Sequence, residues 1–219
     1  MGLILRYNFS KLLNNLAWKH IPSHPDRHFA RDVSVSDLYY TSDLHIAHHF
    51  RRTSMHRDYL NRFADLYKPG LQYPFHDFDK LLANENEIAL WSMFTCSKVP
   101  GSDLKLDTET KYLIEDLHTR HKLTHPHHPE FWEYAWLMPR KSLVEYVCDC
   151  CSLGFELDAQ NPIENAYEYH KAKKEDKVEW TKAQKKFIEQ VFAALITSYN
   201  YSDFAKIKLN YEFARIRQI

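Results

Sequence analysis

The sequence predicts an all-α protein, and three observations carry this prediction. Glycine is scarce, with 4 among 219 residues, which disfavours the many tight turns of a β-barrel or β-sandwich. Long stretches mix polar and apolar residues at helical spacing. Breakers such as Pro69, Gly70 and Pro126 fall where such stretches stop. We therefore expect a bundle of roughly six or more helices.

The first half of the chain begins with an extension and continues into the domain. Residues 1–40 form the extension, with a short amphipathic helix at 1–19. A helix is predicted from about residue 36 to residue 67 because apolar residues recur there at helical spacing. After Pro74, the pattern predicts a helix that runs through Leu82 and Leu90, before a turn at 99–101.

The second half of the chain carries the remaining predicted elements. Further helices are predicted at about 108–125, from Pro129 onward, at 139–155 and at 176–198, with a connection at 158–165. The main domain then covers residues 41–198. A tail at 199–219 follows, which the pattern does not assign to helix or strand.

Charge and hydropathy exclude two classes of partner. Lys+Arg and Asp+Glu both total 29, so the formal net charge is zero, unlike the basic balance of proteins that bind nucleic-acid polymers. A small charged substrate stays compatible with a local site. No apolar run approaches the ~20 residues that span a bilayer, and Arg6 and Asn8 interrupt any signal-peptide core. We expect a cytoplasmic protein without a membrane partner.

Three of the four cysteines crowd into one predicted helix, at Cys148, Cys150 and Cys151, and Cys96 stands apart. Cysteines this close cannot connect distant segments, so we expect reduced thiols that act as small buried hydrophobes. Cys148 and Cys151 form a C-x-x-C, which raises a zinc or redox alternative. The second C-x-x-C of a zinc site is missing.

The order of histidines and aspartates is the feature that points to chemistry. Along the chain come a lone histidine, a His-Asp pair, a second lone histidine, a His-His pair and an aspartate: His56, His76, Asp77, His121, His127, His128 and Asp149. Imidazoles and carboxylates are the ligands of Mn, Fe, Zn and similar ions. About six such groups suffice for a two-metal centre, in which a water is activated.

Helical spacing supports part of this set. His118, His121 and His125 follow i, i+3, i+7 spacing and share one helix face. They belong to a run of five histidines between residues 118 and 128. Asp149 lies in a helix that is apolar nearly all round, four residues after Glu145. Such a strip of carboxylates either binds a partner in the interior or faces water.

This order resembles that of the HD-domain phosphohydrolase superfamily in its two-metal form. The segment from His76 to Lys80 is similar to its H-D-x-x-K motif. More closely, residues 45–195 resemble a family of phage and bacterial proteins of unknown function, DUF5662. The similar segments are 55–60, 76–80, 121–132 and M-P-x-x-x-x-x-E-x-x-x-D from Met138 to Asp149. Asp79 and Cys150 depart from the family, where a serine and an aromatic residue are usual.

The resemblance implies a role for each matching residue. A first metal ion would be held by His56, His76, Asp77 and Asp149. Asp77 would bridge to a second ion, held by His121 with one or both of His127 and His128. Lys80 would bind a substrate phosphate, and we count Asp77 and Lys80 as catalytic. We expect one or two divalent ions of Fe, Mn, Zn, Mg or Ni.

Other residues are assigned from their own positions. Arg120 and Glu130 are candidates for contacts with substrate. His45, His48 and His49 offer an alternative first ligand, whereas His118 and His125 either support the ligands or face solvent. His20, His24, His28 and His170 are expected at the surface or in loops. Trp132, Tyr134 and Trp136 are expected in the core.

The resemblance implies a hydrolase that acts on a small phosphate ester or phosphodiester, such as a nucleotide or cyclic nucleotide. A metal-bound hydroxide would attack phosphorus. Two alternatives stay open: a diiron oxygenase that uses the same ligands, and a non-catalytic protein that sequesters a nucleotide or protein. The host cytoplasm is the expected location if a phage encodes the chain. A homodimer also stays open.

Overall fold

The computed structural model describes residues 32–33, 43–97, 105–156, 161–175, 177–200 and 202. These residues are mostly helical, as predicted. The chain divides into two compact units: Met1–Met55 with Phe75–His121, and His56–Pro74 with Lys122–Ile219. We call them the first and second units. The predictions for 1–19, for the turn at 99–101 and for the tail after Ser202 lie outside the described residues.

The first unit combines helices with a short pair of strands. Strand β1 (Asp32–Val33) pairs in parallel with β2 (Lys105–Leu106), with Asp32 opposite Lys105. The helices are α1 (Asp43–Tyr67), α2 (Asp79–Leu82), α3 (Glu85–Ser97) and α4 (Thr108–Thr124). Residues of α1 after Met55, and of α4 after His121, belong to the second unit. The first unit's core consists of Ala89, Leu90, Trp91, Met93, Ile114 and Leu117.

The predicted single helix through Leu82 and Leu90 is wrong, because the chain breaks between α2 and α3. Ala83 is extended, and Asn84 caps α3. The amide of Glu87 donates to Asn84 Oδ1 at 3.0 Å, and the amide of Asn84 donates to Glu87 Oε2 at 3.4 Å. This reciprocal capping box satisfies amides at the start of a helix. Periodicity alone did not reveal it.

The end of α1 and both ends of α4 agree with the prediction, whereas the predicted start of α1 at residue 36 lies outside the described residues. Helix α1 ends at Tyr67, just before Pro69 and Gly70. Helix α4 begins after Asp107, whose Oδ1 accepts from the amide of Thr110 at 2.6 Å, and ends at Thr124 before Pro126. Capping and proline therefore bound the helix that carries His118 and His121.

The second unit is built on three helices that pack together. They are α5 (Arg140–Glu156), α6 (Pro162–His170) and α7 (Lys182–Asn200), and each packs against the other two. A π-helical turn, Lys171–Glu175, follows α6. The fully buried side chains of this core include Leu60, Phe63, Val147, Cys148, Cys151, Ile163, Ile188, Val191 and Leu195.

Two short 3₁₀ turns replace the helix predicted from Pro129. They cover Pro129–Phe131 and Ala135–Leu137, and the backbone at Trp132 and Tyr134 between them is extended. Aromatic residues favour extended backbone, and they are dense in this segment. Proline does occupy the first position of the turn, as expected for a helical start.

Two further boundaries differ from the prediction. The connection expected at 158–165 already contains the start of α6 at Pro162, and this helix ends at His170, which is buried rather than exposed. The last helix starts at Lys182 because Thr181 and Gln184 form a capping box. Each amide donates to the other's side-chain oxygen at 3.1 Å. Among the described helices, none combines the length and apolar character that a bilayer crossing requires.

Gly154 permits the close packing of α5 against α6. A Cβ added at this glycine would lie 2.5 Å from the carbonyl oxygen of Pro162 and 3.3 Å from its carbonyl carbon. Both atoms belong to backbone, which cannot move aside as a flexible side chain does. The contact therefore requires a residue without a Cβ.

We predict that Gly154→Ala destabilises the protein. Alanine within a helix usually raises the free energy of unfolding by about 0.5–1 kcal/mol relative to glycine. Here the clash with Pro162 should instead lower the free energy of unfolding by roughly 1–3 kcal/mol. Urea unfolding measures the change. Leu153→Ala, at an exposed neighbour in the same helix, is the control, with a shift expected within about 0.5 kcal/mol. Stabilisation by Gly154→Ala would contradict the packing argument.

Candidate metal centre

The His76-Asp77 pair lies in a turn of the first unit, just before α2. Both side chains are buried. Asp77 has a φ of 53°, and among the described residues it is the non-glycine residue with positive φ. Aspartate tolerates this left-handed conformation better than most residues. Such conformations persist where surrounding contacts hold them, often at functional sites.

Three cationic or imidazole groups surround the Asp77 carboxylate. Lys80 Nζ lies 2.5 Å from Oδ2, His121 Nε2 lies 3.2 Å from Oδ1, and His76 Nε2 lies 3.7 Å from Oδ1. Burial would raise the pKa of Asp77, but Lys80, His76 and His121 hold it well below the usual range. The buried carboxylate is therefore anionic, as a metal ligand must be.

The other ring nitrogen of His121 is bound by Asp79. Nδ1 donates to Asp79 Oδ2 at 2.9 Å, and Nε2 lies 3.2 Å from Asp77 Oδ1. Each ring nitrogen of His121 therefore faces a carboxylate oxygen, and a metal ion bound by Nε2 would take the place of a proton there. A carboxylate that orients a ligating histidine is a common feature of metal sites. Asp79, which departs from the family motif, thus supports a predicted ligand.

His49 is engaged by other groups, which disfavours its role as a first ligand. Its Nε2 lies 3.1 Å from the Lys80 carbonyl oxygen and its Nδ1 lies 3.2 Å from Thr95 Oγ1. Burial lowers the pKa of His49 to about 4, so the ring is neutral. It donates to the Lys80 carbonyl and accepts from the Thr95 hydroxyl. His49 therefore ties α1 to the backbone of α2, a role that spacing alone did not reveal.

Two other candidates of the first unit lie in different surroundings. His118 contacts the rings of Trp91 and Phe94, with centroid separations of 4.7 and 4.3 Å. Arg120 is exposed and pairs with Glu87 at 2.7 Å and with Asp116 at 3.1 Å. Surface pairs of this kind contribute little stability, so they leave Arg120 able to exchange partners.

In the second unit, His56 lies between two carboxylates of α5. Its Nε2 lies 2.9 Å from Asp149 Oδ1, and its Nδ1 forms a short contact with Glu156. Burial lowers the pKa of His56, but Glu156 and Asp149 outweigh this effect and raise it to about 10. A metal ion bound by His56 would have to displace that proton.

Glu156 is a functional candidate that the sequence analysis missed. Glu145, Asp149 and Glu156 lie at i, i+4 and i+11, within about 40° on one strip of α5. His127 is buried, with Nδ1 3.6 Å from Glu145 Oε1, and its ring lies 4.2 Å from that of His128. The strip is thus partly buried and faces imidazoles. The periodicity had left open whether these carboxylates face water or bind partners in the interior, and the structure favours the interior partners.

Among the described residues, the cysteines of α5 belong to none of the groups of side chains placed to hold a metal ion. All four cysteines are free, and burial raises the pKa of Cys148 and Cys151, as well as that of Cys150 to about 12. The thiolate is the form that binds zinc or attacks a disulfide, and it is disfavoured here. Cys148 and Cys151 fill the core, as expected for small hydrophobes.

The aromatic segment 131–137 is only partly in the core. Trp132 packs against the core, but Tyr134 and Trp136 are each 45% exposed. Their rings stack at 4.3 Å with an interplanar angle of 9°. The prediction of a core position was therefore wrong for these two residues. Glu130, the other candidate for substrate contact, lies 3.4 Å from Lys174 Nζ.

The described residues thus define a mostly helical protein with clusters of histidine and carboxylate side chains that could bind a metal ion. The chain belongs to the family of unknown function DUF5662, whose family model matches residues 45–198. The resemblance found in the sequence is confirmed at the level of this family. No curated protein and no solved structure matches the chain.

The charge state of His56 predicts a pH dependence of stability in protein kept free of metal. Because its pKa rises from 6.5 unfolded to about 10 folded, its contribution is complete below pH 6.5. It is lost as pH rises to about 10, with a slope of at most about 1.4 kcal/mol per pH unit. His56→Gln should remove this slope from the free energy of unfolding, measured with urea at each pH.

Lys182→Gln is the matched control for this experiment. It removes a positive charge from an exposed position on α7 and should leave the slope between pH 6.5 and 10 unchanged. An unaltered slope in His56→Gln would show that the pairing with Asp149 and Glu156 does not stabilise the fold.

Proposed function

We propose that this protein is a metal-dependent phosphohydrolase of the HD-domain type, which acts on a small phosphate ester or phosphodiester such as a nucleotide. The observation that carries the proposal is the buried anionic carboxylate of Asp77, approached by His121, His76 and Lys80 at 2.5–3.7 Å. A buried carboxylate beside two imidazoles matches the donor chemistry of Mn, Fe and Zn.

The donors of both units fit this assignment chemically. In the first unit, His76, Asp77 and His121 would hold metal, with Asp79 orienting His121. In the second unit, the donors are His56, Asp149, His127 and His128, to which Glu145 and Glu156 add carboxylates. Divalent ions bound there would lower the pKa of a water near phosphorus and offset charge on the leaving oxygen.

The protein's own side chains would position the substrate. Lys80 is a point charge of the kind that binds phosphoryl oxygens, and α2 holds it beside Asp77 through the contact between its carbonyl and His49. The zero net charge favours a small substrate over a nucleic-acid polymer, because a long polyanion is attracted by an overall excess of positive charge, which this sequence lacks.

The first test is the metal content of purified protein. We expect one or two equivalents of a divalent ion such as Fe, Mn or Zn in the wild type, and their loss in Asp77→Ala, because a charged ligand is removed. Plasma mass spectrometry with parallel protein quantification measures both. Glu115→Ala, at an exposed carboxylate on α4, is the control and should retain the metal. Metal absent from the wild type, even after incubation with Mn or Fe under reducing conditions, would refute the proposal.

The second test separates the proposed activity from its alternatives. We expect release of phosphate or of a nucleoside monophosphate from a panel of nucleotides and cyclic nucleotides. Asp77→Ala should reduce the rate by roughly 100-fold or more. Oxygen consumption by an iron-loaded protein without phosphate release would instead favour the diiron oxygenase. A biological effect that persists in Asp77→Ala would favour the sequestering protein.

A further inference from the structure

A shallow groove of about 340 Å³ lies in the second unit. Its walls come from the first 3₁₀ turn, from the start of the second 3₁₀ turn and from the chain that follows α6. The lining residues are Pro129, Glu130, Ala135, Lys173, Lys174, Lys177 and Val178.

The groove carries an excess of positive charge. Three lysines line it, against the single carboxylate of Glu130, which lies 3.4 Å from Lys174. Lys173 and Lys177 are exposed. The formal net charge of the whole chain is zero, so this concentration of ammonium groups is a local feature. A local site of this kind can attract an anion even though the chain as a whole does not.

The backbone explains why the lysines gather. The π-helical turn Lys171–Glu175 widens the end of α6. The amides of Lys177 and Val178 then both donate to the carbonyl of Lys174, at 3.3 and 3.0 Å. The chain therefore folds back at Lys174 and brings Lys177 to the same groove. Single π turns occur frequently at functional sites.

A stacked aromatic pair flanks, in the sequence, one of the residues that line the groove. Ala135 lines it, and the residues on either side, Tyr134 and Trp136, stack on each other with 45% of each side chain exposed. Exposed aromatic surface of this kind is typical of binding sites. A third planar ring can extend the stack, since every nucleobase has a π face.

We propose that this groove binds a nucleotide, with its phosphates on Lys173, Lys174 and Lys177 and its base on the Tyr134–Trp136 pair. Ammonium groups bind phosphates as point charges, and aromatic side chains stack bases without strong preference for one base. The inference does not depend on the proposed hydrolase activity, because none of these residues is among the proposed metal ligands.

Equilibrium dialysis tests the site directly, with ATP at low ionic strength and excess chelator. The double variant Lys173→Gln/Lys177→Gln should weaken ATP binding at least about tenfold, because two charged contacts are lost. The matched control is Lys182→Gln/Lys186→Gln, which removes two exposed lysines of α7 outside the groove. It should bind ATP as the wild type does.

Tripolyphosphate, which lacks a base, tests the stacking part. Trp136→Ala should weaken ATP binding about tenfold and leave tripolyphosphate binding unchanged. Tyr169→Ala, at an exposed tyrosine of α6, controls for loss of an aromatic side chain. The excess chelator keeps divalent ions away from the proposed metal centre, which separates ATP binding in the groove from binding at that centre. Circular dichroism melts establish that each variant is folded.

Three outcomes would overturn the proposal. Absence of ATP binding by the wild type at millimolar concentration would refute it outright. Equal weakening by the groove variant and the α7 control would refute the assignment to this groove. Tripolyphosphate binding as tight as that of ATP, with no effect of Trp136→Ala on either, would refute recognition of a nucleotide.

Discussion

The buried carboxylate of Asp77 is the constraint on which the first unit depends. An isolated charge in the interior is costly, and it is kept ionised by Lys80, His76 and His121. The turn that presents it requires a left-handed backbone at Asp77 itself. Removing any one neighbour would leave the carboxylate less compensated, so these residues act as a group.

The surroundings of Asp77 hold this group in place. His49 reaches from α1 to the carbonyl of Lys80 and to the hydroxyl of Thr95 on α3, and Asp79 orients His121 on α4. Each helix of the first unit therefore contributes at least one hydrogen-bonding group. Preorganisation of this kind is what a catalytic or metal-binding constellation needs, because its ligands must not reorganise when charge arrives.

Much of the helical fold was predictable, because α1, α4 and α5 follow strong apolar periodicity with clear breakers. The break at Ala83, the start of α7 at Lys182 and the start of α6 at Pro162 were not predicted. These boundaries depend on capping by the side chains of Asn84 and Thr181 and on a proline at the start of α6. Apolar periodicity carries no information about such local interactions.

The candidate ligands could be proposed from the sequence, but the residues that contact and orient them could not. The order of histidines and aspartates along the chain singled out Asp77, His121 and Asp149 as candidate metal ligands. Glu156 was missed, and the structural role of His49 was not foreseen, because these roles arise from contacts 100 and 31 residues away in sequence. His170 was wrongly predicted at the surface for a related reason. It is buried, with Nδ1 2.8 Å from the Tyr146 hydroxyl, and the sequence around a single histidine does not predict such a partner.

The buried cysteines of α5 have a consequence for the protein's exposure to oxidants. The thiolate sulfur attacks peroxide, so formation of the first oxidised product, a sulfenic acid, needs both that thiolate and access by the oxidant. Cys148 and Cys151 are buried, and burial raises the pKa of both thiols, which favours their protonated form. These two neighbours of Asp149 on α5 are therefore poor targets for peroxide.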